Sequence, residues 1–312
     1  MRLGKVLAVC TSPVRGVQKE NRGRAHLCPE WGLEGDAHGG NWHRQVSLLS
    51  AERIAEFNQR GGGVAPGAFG ENLVVAGIDF RTLPVGTLLR CGGALLEVTQ
   101  IGKDCHSRCA IFDRMGECIM PREGVFARVL EPGDIAVGDE MHVEPRNVPR
   151  PFQAAVITLS DRCAAGERAD QSGPAVTARL RENGYAVVEE LLLPDDQKRL
   201  ERELIRLADQ RQVDLILTAG GTGFSPRDVS PEAALAVADR QAPGIAEAIR
   251  AASMKITPRA MLSRGVSVIR GRTLIINLPG SPKACLESMD VFLEQLSHGL
   301  ELLRGIPQDC GR

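Results

Sequence analysis

The residues best suited to chemistry are three aspartates, Asp161, Asp195 and Asp228, each of which follows an apolar segment expected to be a β-strand. A glycine-rich turn, 220–223, precedes Asp228, and Arg227 stands between them. Glycine lets a backbone approach an anion closely, and a carboxylate beside a phosphate needs a cation such as Mg²⁺ between them. Each feature alone is equally compatible with a plain turn or helix cap. Their convergence predicts a phosphate site with a metal ion.

The second half of the chain supplies the elements that would bring these residues together. Strands are predicted at 154–160, 185–193, 213–220 and 273–279, and helices alternate with them. This order predicts an α/β domain with a largely parallel sheet. All four strands then end at one edge, where such folds bind ligands beside helix N-termini. The turn 220–223 is not a Walker A loop, because no lysine follows Gly223. Asp196 could equally be the cap of the following helix, while its neighbour Asp195 faces the site.

The first half is predicted to be mainly β. Short apolar runs broken by Gly, Pro and Asp indicate a barrel or sandwich. Helices are expected only at 50–60 and 122–131. Three prolines, Pro145, Pro149 and Pro151, predict an extended linker, which divides the chain into domains 1–148 and 149–312.

Composition limits the classes of function. The chain has 312 residues, 43% of them apolar, and a formal net charge of −1, which suits two globular domains and gives no reason to expect nucleic acid as a partner. No apolar run is long enough for a membrane span, so we expect a cytoplasmic protein. Its nine cysteines are then expected to be mostly reduced thiols.

Four segments of the second half resemble the molybdopterin adenylyltransferase family, of MogA or MoaB type: ITLSDRCAAG, LLPDDQ, LTAGGTGFSPRDVSPEA and LSRGVSVIRGRTLIINLPGSPKA. The resemblance covers residues 152–305. It implies transfer of AMP from Mg-ATP to the terminal phosphate of molybdopterin, with release of pyrophosphate, in a homotrimer. Asp195 and Asp228 would be catalytic and would hold Mg²⁺. The residues implied in binding ATP and the molybdopterin phosphate are Ser160, Asp161, Gly220, Gly221, Thr222, Gly223, Arg227, Pro279, Gly280 and Ser281.

Segments of the first half resemble a MOSC domain: WGLEGDAHGGNWHRQVSLLS, APGAFGENLVVAGIDF, LPVGTLLRCGGALLEVTQIGKDCHSRC and VGDEMHV. The resemblance covers residues 4–144 and implies a β-barrel. Some such domains bind the molybdenum cofactor through a cysteine shortly after the L-E-V-T-Q strand, and Cys105 has that place. It would be a molybdenum or sulfur ligand. The usual P-R-x-P-C motif is replaced here by I-G-K-D-C-H. Glu71 and Asn72 are expected to be turn residues at the rim of the pocket.

The cysteines of the first half leave alternatives open. Cys105, His106, Cys109 and Cys118 could instead form a structural zinc site, although the paired C-x-x-C spacing of a strong zinc signal is absent. They could also be inert or redox-active thiols. His38 and His43 are expected to be polar loop residues.

Together the two resemblances predict an enzyme of molybdenum cofactor biosynthesis. Its second half would adenylylate molybdopterin, and its first half would bind or modify the pterin, metal or sulfur. A molybdenum insertase or acceptor molybdoenzymes would be its protein partners. The alternatives are a non-catalytic carrier with an inactive adenylyltransferase-like trimer, or MOSC-type sulfur or metal transfer as the main activity.

Overall fold

The computed structural model describes residues 3–105, 110–146 and 149–305. The chain divides into two compact units, Met1–Pro149 and Arg150–Arg312. That either unit folds alone stays a prediction. Within the described ranges, no helix combines the length and apolar character needed to span a bilayer.

The N-terminal unit is built mainly from short strands. They are β1 (Leu3–Thr11), β2 (Glu20–Asn21), β3 (Arg24–Cys28), β4 (Gly32–Leu33), β5 (Val46–Ser50), β6 (Leu73–Ala76), β7 (Leu88–Cys91), β8 (Ala94–Ile101), β9 (Val125–Glu131), β10 (Gly133–Ala136) and β11 (Glu140–Glu144). The helices are α1 (Ala51–Gln59), α2 (Ala110–Met115) and α3 (Met120–Glu123), with a 3₁₀ turn at Phe80–Thr82.

Seven of these strands close into a barrel in the order β11-β7-β8-β9-β5-β6-β1, because β11 also pairs with β1. Neighbours are antiparallel except β5 and β6, which are parallel. Strand β2 extends the sheet from β1, and β10-β3-β4 form a separate small sheet. Alternate strand residues such as Val6, Leu48 and Leu96 point inward and form the fully buried core. The predicted β-barrel is therefore confirmed.

One predicted helix of this unit is wrong. Residues 122–131 were expected to be helical, but only the end of α3 lies there, and Val125–Glu131 form strand β9. Val125, Phe126 and Ala127 form a continuous buried apolar run, whose periodicity cannot distinguish a helix from a strand. The segment forms a strand because it pairs with both β5 and β8, and β-branched and aromatic side chains pack well in a strand.

The C-terminal unit alternates strands and helices. The strands are β12 (Gln153–Leu159), β13 (Ala186–Leu193), β14 (Leu215–Ala219), β15 (Arg240–Gln241), β16 (Ser267–Arg270) and β17 (Thr273–Leu278). The helices are α4 (Asp161–Ala164), α5 (Ser172–Glu182), α6 (Gln197–Ile205), α7 (Ser230–Val237), α8 (Pro243–Met254), α9 (Pro282–Phe292) and α10 (Leu296–Arg304). A π-helical turn follows α6 at Arg206–Gln210, and 3₁₀ turns lie at Pro258–Leu262 and Leu293–Gln295. The last of these separates α9 from α10.

Strands of this unit form one sheet in the order β13-β12-β14-β17-β16-β15. The first four strands are mutually parallel, whereas β16 is antiparallel to both of its neighbours. Helices α5, α8, α9 and α10 pack on one face, and α6 and α7 on the other. A sheet covered on both faces explains why its inner strands β12, β14 and β17 are almost completely buried. The predicted α/β fold with a largely parallel sheet is confirmed, and β12, β13, β14 and β17 end at the same edge.

Candidate functional site

The glycine turn 220–223 directly follows β14 at that edge. All four of its carbonyl oxygens are bound by two residues. Ser230 donates its hydroxyl to Gly220 O (2.6 Å) and its N–H to Gly221 O (3.1 Å). Arg264 donates its backbone N–H to Thr222 O (2.9 Å) and Nε–H to Gly223 O (2.7 Å). Within a trans peptide plane the C=O and the next N–H point in opposite directions. The N–H groups of residues 221–223 are therefore turned away from Ser230 and Arg264, as an anion cradle requires.

Two of the turn positions admit only glycine. Gly220 has φ +106°, and a Cβ there would lie 2.4 Å from the carbonyl oxygen of Leu159. Gly221 has φ +65°, and its Cβ would lie 2.6 Å from Ser230 Oγ. L-residues rarely adopt such φ values, and neither neighbour leaves room for a methyl group. The glycines thus serve both the conformation of the turn and its close contact with β12.

Three carboxylates meet beside this turn. Asp161 Oδ1 accepts the N–H of Asp195, and Asp195 Oδ2 accepts the N–H of Asp161, both at 3.0 Å. Arg227 binds Asp161 in a bidentate pair through Nε (2.9 Å) and Nη2 (2.7 Å). Asp228 Oδ2 accepts the N–H of Ser225 at 2.9 Å. A Cβ on Gly223 would lie 2.9 Å from that same Asp228 oxygen, so this carboxylate lies against the turn.

The electrostatics of the carboxylates differ. Arg227 lowers the pKa of Asp161 below its ordinary value, and the N–H of Asp195 acts in the same direction. Burial raises the pKa of Asp195, and the negative charges of Asp161 and Asp228 raise it further. Asp195 is therefore a half-buried carboxylate in a negative surrounding, and such a group is stabilised by a cation.

The residues present fit a Mg²⁺ ion with phosphates. The charge of Asp228 raises the pKa of Asp195, and the glycine turn adjoins both carboxylates. Mg²⁺ typically binds one or two carboxylates together with substrate phosphates and waters. In the described ranges no cluster of three or more His, Cys, Asp or Glu side chains suits a metal, so a dedicated all-protein cage is not indicated there. Asp196, in contrast, caps α6 by accepting the N–H of Arg199 at 2.9 Å.

The predicted turn at 279–281 lies on the other side of the glycine turn. A Cβ on Gly280 would be 3.6 Å from the Cα of Gly220, so the two loops are in contact. Ser172, at the start of α5, donates its hydroxyl to Gly280 O at 2.8 Å. The Ser281 hydroxyl caps α9 by accepting the N–H of Ala284. Pro279 O accepts a hydrogen bond from the Cys285 thiol at 2.9 Å.

The remaining predicted residues also lie at this edge. Ser160 follows β12 and caps α4, its hydroxyl accepting the N–H of Cys163 at 3.2 Å. Thr222 is buried within the turn. The structure therefore brings together the C-terminal residues predicted for catalysis and phosphate binding, although the hydroxyls of Ser160 and Ser281 already serve as helix caps. Their roles in binding and catalysis stay predictions.

Sequence reasoning missed Arg264 as a functional residue. Besides its two bonds to the turn, its Nη2 donates to the carbonyl of Asp228 at 2.6 Å, and Nη1 pairs with Glu232. One guanidinium thus fixes both the glycine turn and the backbone of a candidate catalytic residue. Arg264 belongs to the segment that carried the family resemblance, but its role depends on tertiary contacts across about 40 residues. Ser230 and Ser172 were missed for the same reason.

In the N-terminal unit, Cys105 is exposed in the segment that follows β8. It lines a cavity of about 470 Å³ together with Cys118, Arg60 and Arg122. His106 and Cys109 lie outside the described residues, so the four-residue zinc hypothesis stays a prediction.

The expectation that Glu71 and Asn72 lie at a pocket rim is wrong. Both are almost completely buried. Glu71 accepts the N–H groups of Gly67 (2.7 Å) and Phe69 (3.0 Å). Asn72 donates to Cys10 O at 3.0 Å. Their side chains satisfy backbone groups inside the unit, which gives them a structural role.

This architecture, an α/β sheet whose carboxyl edge joins a glycine cradle to paired carboxylates, defines a class of phosphate-handling α/β proteins. Comparison with known proteins specifies the class further. A family model described as "Probable molybdopterin binding domain" matches residues 155–298, and the MOSC domain model matches residues 34–142. The molybdopterin adenylyltransferase of Haemophilus influenzae is 43% identical over 160 residues, which cover 50% of this chain and 79% of that protein. The chain belongs to the molybdopterin adenylyltransferase family, a family of nucleotidyltransferases, and it carries a MOSC domain.

Other relatives extend the comparison. The molybdopterin adenylyltransferase of Escherichia coli K12 is 42% identical over 141 residues, covering 45% of this chain and 72% of that protein. Gephyrin of Dictyostelium discoideum is 39% identical over 163 residues, which is 49% of this chain and 23% of gephyrin. Among solved structures, the molybdopterin biosynthesis enzyme MoaB of Thermus thermophilus is 44% identical, with a TM-score of 0.48, and covers 51% of this chain and 99% of that one. The resemblance predicted from the sequence motifs is confirmed, and with it a place in molybdenum cofactor biosynthesis.

Proposed function

We propose that the C-terminal unit transfers AMP from Mg-ATP to the terminal phosphate of molybdopterin. The observation that carries this proposal is the orientation of the glycine turn beside Asp195 and Asp228. Ser230 and Arg264 bind the carbonyl oxygens of the turn, so the N–H groups of residues 221–223 point away from these partners. Paired carboxylates next to a phosphate cradle suit a reaction in which phosphates and a cation meet.

The reaction joins a terminal phosphate oxygen of molybdopterin to the α-phosphorus of ATP. The bond from that phosphorus to the pyrophosphate oxygen breaks, and pyrophosphate leaves. Asp195 and Asp228 would hold Mg²⁺, which supplies charge neutralisation for the phosphates when it is bound. The turn amides orient phosphate oxygens, and Arg227 fixes Asp161 beside Asp195. Such a transfer needs positioning and charge stabilisation more than a protein nucleophile.

The test is an assay of the full chain with molybdopterin and Mg-ATP, measuring pyrophosphate and adenylyl-molybdopterin. Asp228→Ala and Asp195→Ala should each reduce turnover at least about 100-fold, while the variants remain folded. Asp196→Ala is the matched control, because the neighbouring Asp196 caps α6 instead of facing the turn. Turnover of Asp228→Ala at the wild-type rate would refute its role. Molybdopterin binding without pyrophosphate release by the wild type would favour the carrier alternative.

For the N-terminal unit we propose that Cys105 binds the molybdenum or sulfur of the cofactor. Its exposure at a cavity that a second cysteine also lines favours this role over an inert buried thiol. In the full chain, Cys105→Ser should lower retained molybdenum or persulfide sulfur, whereas Cys10→Ser and Cys91→Ser, at buried positions, should not. Equal losses on changing Cys105, Cys109 and Cys118, with about one zinc per chain, would instead support structural zinc.

We also propose that the protein is a cytoplasmic homotrimer that passes its product to a molybdenum insertase or acceptor molybdoenzymes. Exposed apolar side chains at the end of α8 and just beyond it, Met254, Ile256 and Met261, offer candidate surface for assembly. Sedimentation equilibrium of the full chain tests the state of assembly, and a strictly monomeric protein would refute the trimer.

Joining the two domains in one chain raises the effective concentration of a labile pterin between them.

A further inference from the structure

The N-terminal unit exposes both tryptophans of the chain in one segment, residues 31–44, in which the two-residue strand β4 separates Trp31 from the connection that carries Trp42; we call this segment the tryptophan loop. The sequence contains two tryptophans, Trp31 and Trp42. Their exposed fractions are 47% and 41%. Indole rings are large apolar groups that folding usually buries, so an exposed pair is a feature of ligand-binding surfaces. Neither residue has a role in the function proposed above.

Two consecutive glycines, Gly39 and Gly40, each lie against one of the two indole rings. A Cβ on Gly39 would lie 2.5 Å from Trp31 Nε1, and a Cβ on Gly40 would lie 3.7 Å from Trp42 Cδ1. Backbone bonds fix the arrangement, since the N–H of Gly40 donates to Trp31 O (2.8 Å) and that of Trp42 to Gly40 O (2.9 Å). The two rings therefore flank one short stretch of backbone. A side chain at residue 39 would displace Trp31.

A buried ion pair anchors this loop to the barrel. Lys19 Nζ lies 2.6 Å from Asp36 Oδ2, and both side chains are 1% exposed. Asp36 also accepts the N–H of Ser12 (3.1 Å) and an amide hydrogen of Asn72 (2.9 Å). The N–H of Ala37 donates to Ser12 O at 2.7 Å. A buried charge with this many partners has one preferred geometry, so the loop starts from a rigid base.

Cationic groups surround the indoles. The Arg44 guanidinium lies 4.6 Å above the centre of the Trp42 ring. Arg15 donates from Nε to Ala37 O at 2.8 Å and is exposed. Flat apolar rings beside guanidinium groups suit a ligand that is planar, aromatic and negatively charged.

The same loop is linked to the segment that carries Cys105. His43 Nε2 and Gln100 Oε1 share a hydrogen bond of 2.9 Å, and Gln100 Nε2 donates to Gly102 O at 2.7 Å. Gly102 opens the loop in which Cys105 lies three residues later. A ligand on the tryptophan loop would therefore be bound on an element connected directly to the cysteine loop.

We propose that Trp31 and Trp42, with Arg15 and Arg44, form a stacking site for a planar heteroaromatic anion. Its identification as a pterin rests on the proposed function, whose substrate is a pterin phosphate. Purine nucleotides share the planar and anionic chemistry, so the test must distinguish the two.

The test uses tryptophan fluorescence of the full chain. Both tryptophans of the sequence belong to this segment, so a ligand bound there should change their emission directly. The probes are 6-carboxypterin, a stable pterin anion, and AMP. We expect saturable quenching by 6-carboxypterin and at least tenfold weaker quenching by AMP. Absence of quenching by 6-carboxypterin would overturn the proposal, and stronger quenching by AMP would overturn the pterin assignment.

Variants give a second readout through the fluorescence of the pterin itself. Trp42→Leu should weaken binding of 6-carboxypterin about tenfold, as expected for loss of one stacking partner. Arg44→Gln should weaken it as well, whereas Arg22→Gln, at an exposed pair with Glu20, is the matched control and should not. Unchanged affinity in both loop variants would overturn the proposal.

Pyrophosphate release is measured in parallel. Turnover without pterin quenching would refute this inference alone, and quenching without turnover would refute the adenylylation proposal alone.

Discussion

Replacing Gly220 by alanine tests whether the glycine turn is fixed by its backbone. Gly220 has φ +106°, and the added Cβ would lie 2.4 Å from the carbonyl oxygen of Leu159. Backbone strain of this kind costs about 1–3 kcal/mol, and forcing a methyl group into a packed site costs about the same again. Leu159 ends the central strand β12 and cannot move without disturbing its pairing with β13. We therefore expect Gly220→Ala to lower the free energy of unfolding by about 2–6 kcal/mol.

The matched control is Gly184→Ala. Gly184 also has a positive φ, +80°, but an added Cβ there would meet no atom within 4 Å. It should therefore show the conformational cost alone, about 1–2 kcal/mol. The difference between the two variants isolates the contact with Leu159.

The chain offers a separate optical signal for each unit. Tyr185, the single tyrosine, is buried in the C-terminal unit, and both tryptophans belong to the N-terminal unit. Urea unfolding followed by tyrosine absorbance should shift in Gly220→Ala, while the transition reported by tryptophan fluorescence should not. A shift no larger than that of Gly184→Ala would refute the argument, because the Leu159 contact would then have no measurable cost.

Three further predictions concern charges. Arg264→Lys should lower kcat for adenylyl transfer about 10–100-fold, because an ammonium group cannot span the two backbone carbonyls that the guanidinium binds. Arg270→Lys, at a pair with Asp209, is the control and should leave kcat unchanged. Equal kcat values for the two variants in steady-state assays would refute this role of Arg264. The pKa of Asp195 is raised in the folded state, so its favourable contribution is complete below the unfolded pKa and is lost as pH rises through the folded one. The stability gained by Asp195→Asn should therefore increase from about pH 4 to pH 7 in urea titrations, and a decrease would contradict the pKa direction. Lys19→Met should destabilise the N-terminal unit by about 3–5 kcal/mol in urea titrations followed by tryptophan fluorescence, because it leaves the buried Asp36 without its cation, and an unchanged transition would refute the importance of the ion pair.

Sequence reasoning succeeded in the C-terminal unit where the signal is local. Each strand of the parallel sheet is a short apolar run that ends in a turn, and the parallel order then brings the turns to one edge. The meeting of Asp161, Asp195 and the glycine turn follows from that topology. Arg264 could not be predicted in the same way, because nothing in its neighbours indicates which carbonyls its guanidinium will reach.

Strand β9 shows a second limit of sequence reasoning. Its apolar run is buried on both faces, so the alternation that marks a half-exposed strand is lost. The barrel supplies the missing information, since β9 fills the place between β5 and β8. Tertiary pairing determines the structure of such segments, and local propensity does not.

The two units differ in what their recognisable motifs do. In the C-terminal unit, the motif residues Asp195 and Asp228 lie at the open edge of the sheet beside the glycine turn. In the N-terminal unit, the motif residues Asp36, Glu71 and Asn72 are buried and bind backbone groups or Lys19. Residues of that kind serve the fold, because an unpartnered buried carboxylate would be costly. Candidates for ligand binding in the N-terminal unit are therefore exposed segments such as the tryptophan loop and the loop of Cys105, which hydrogen bonds of Gln100 link.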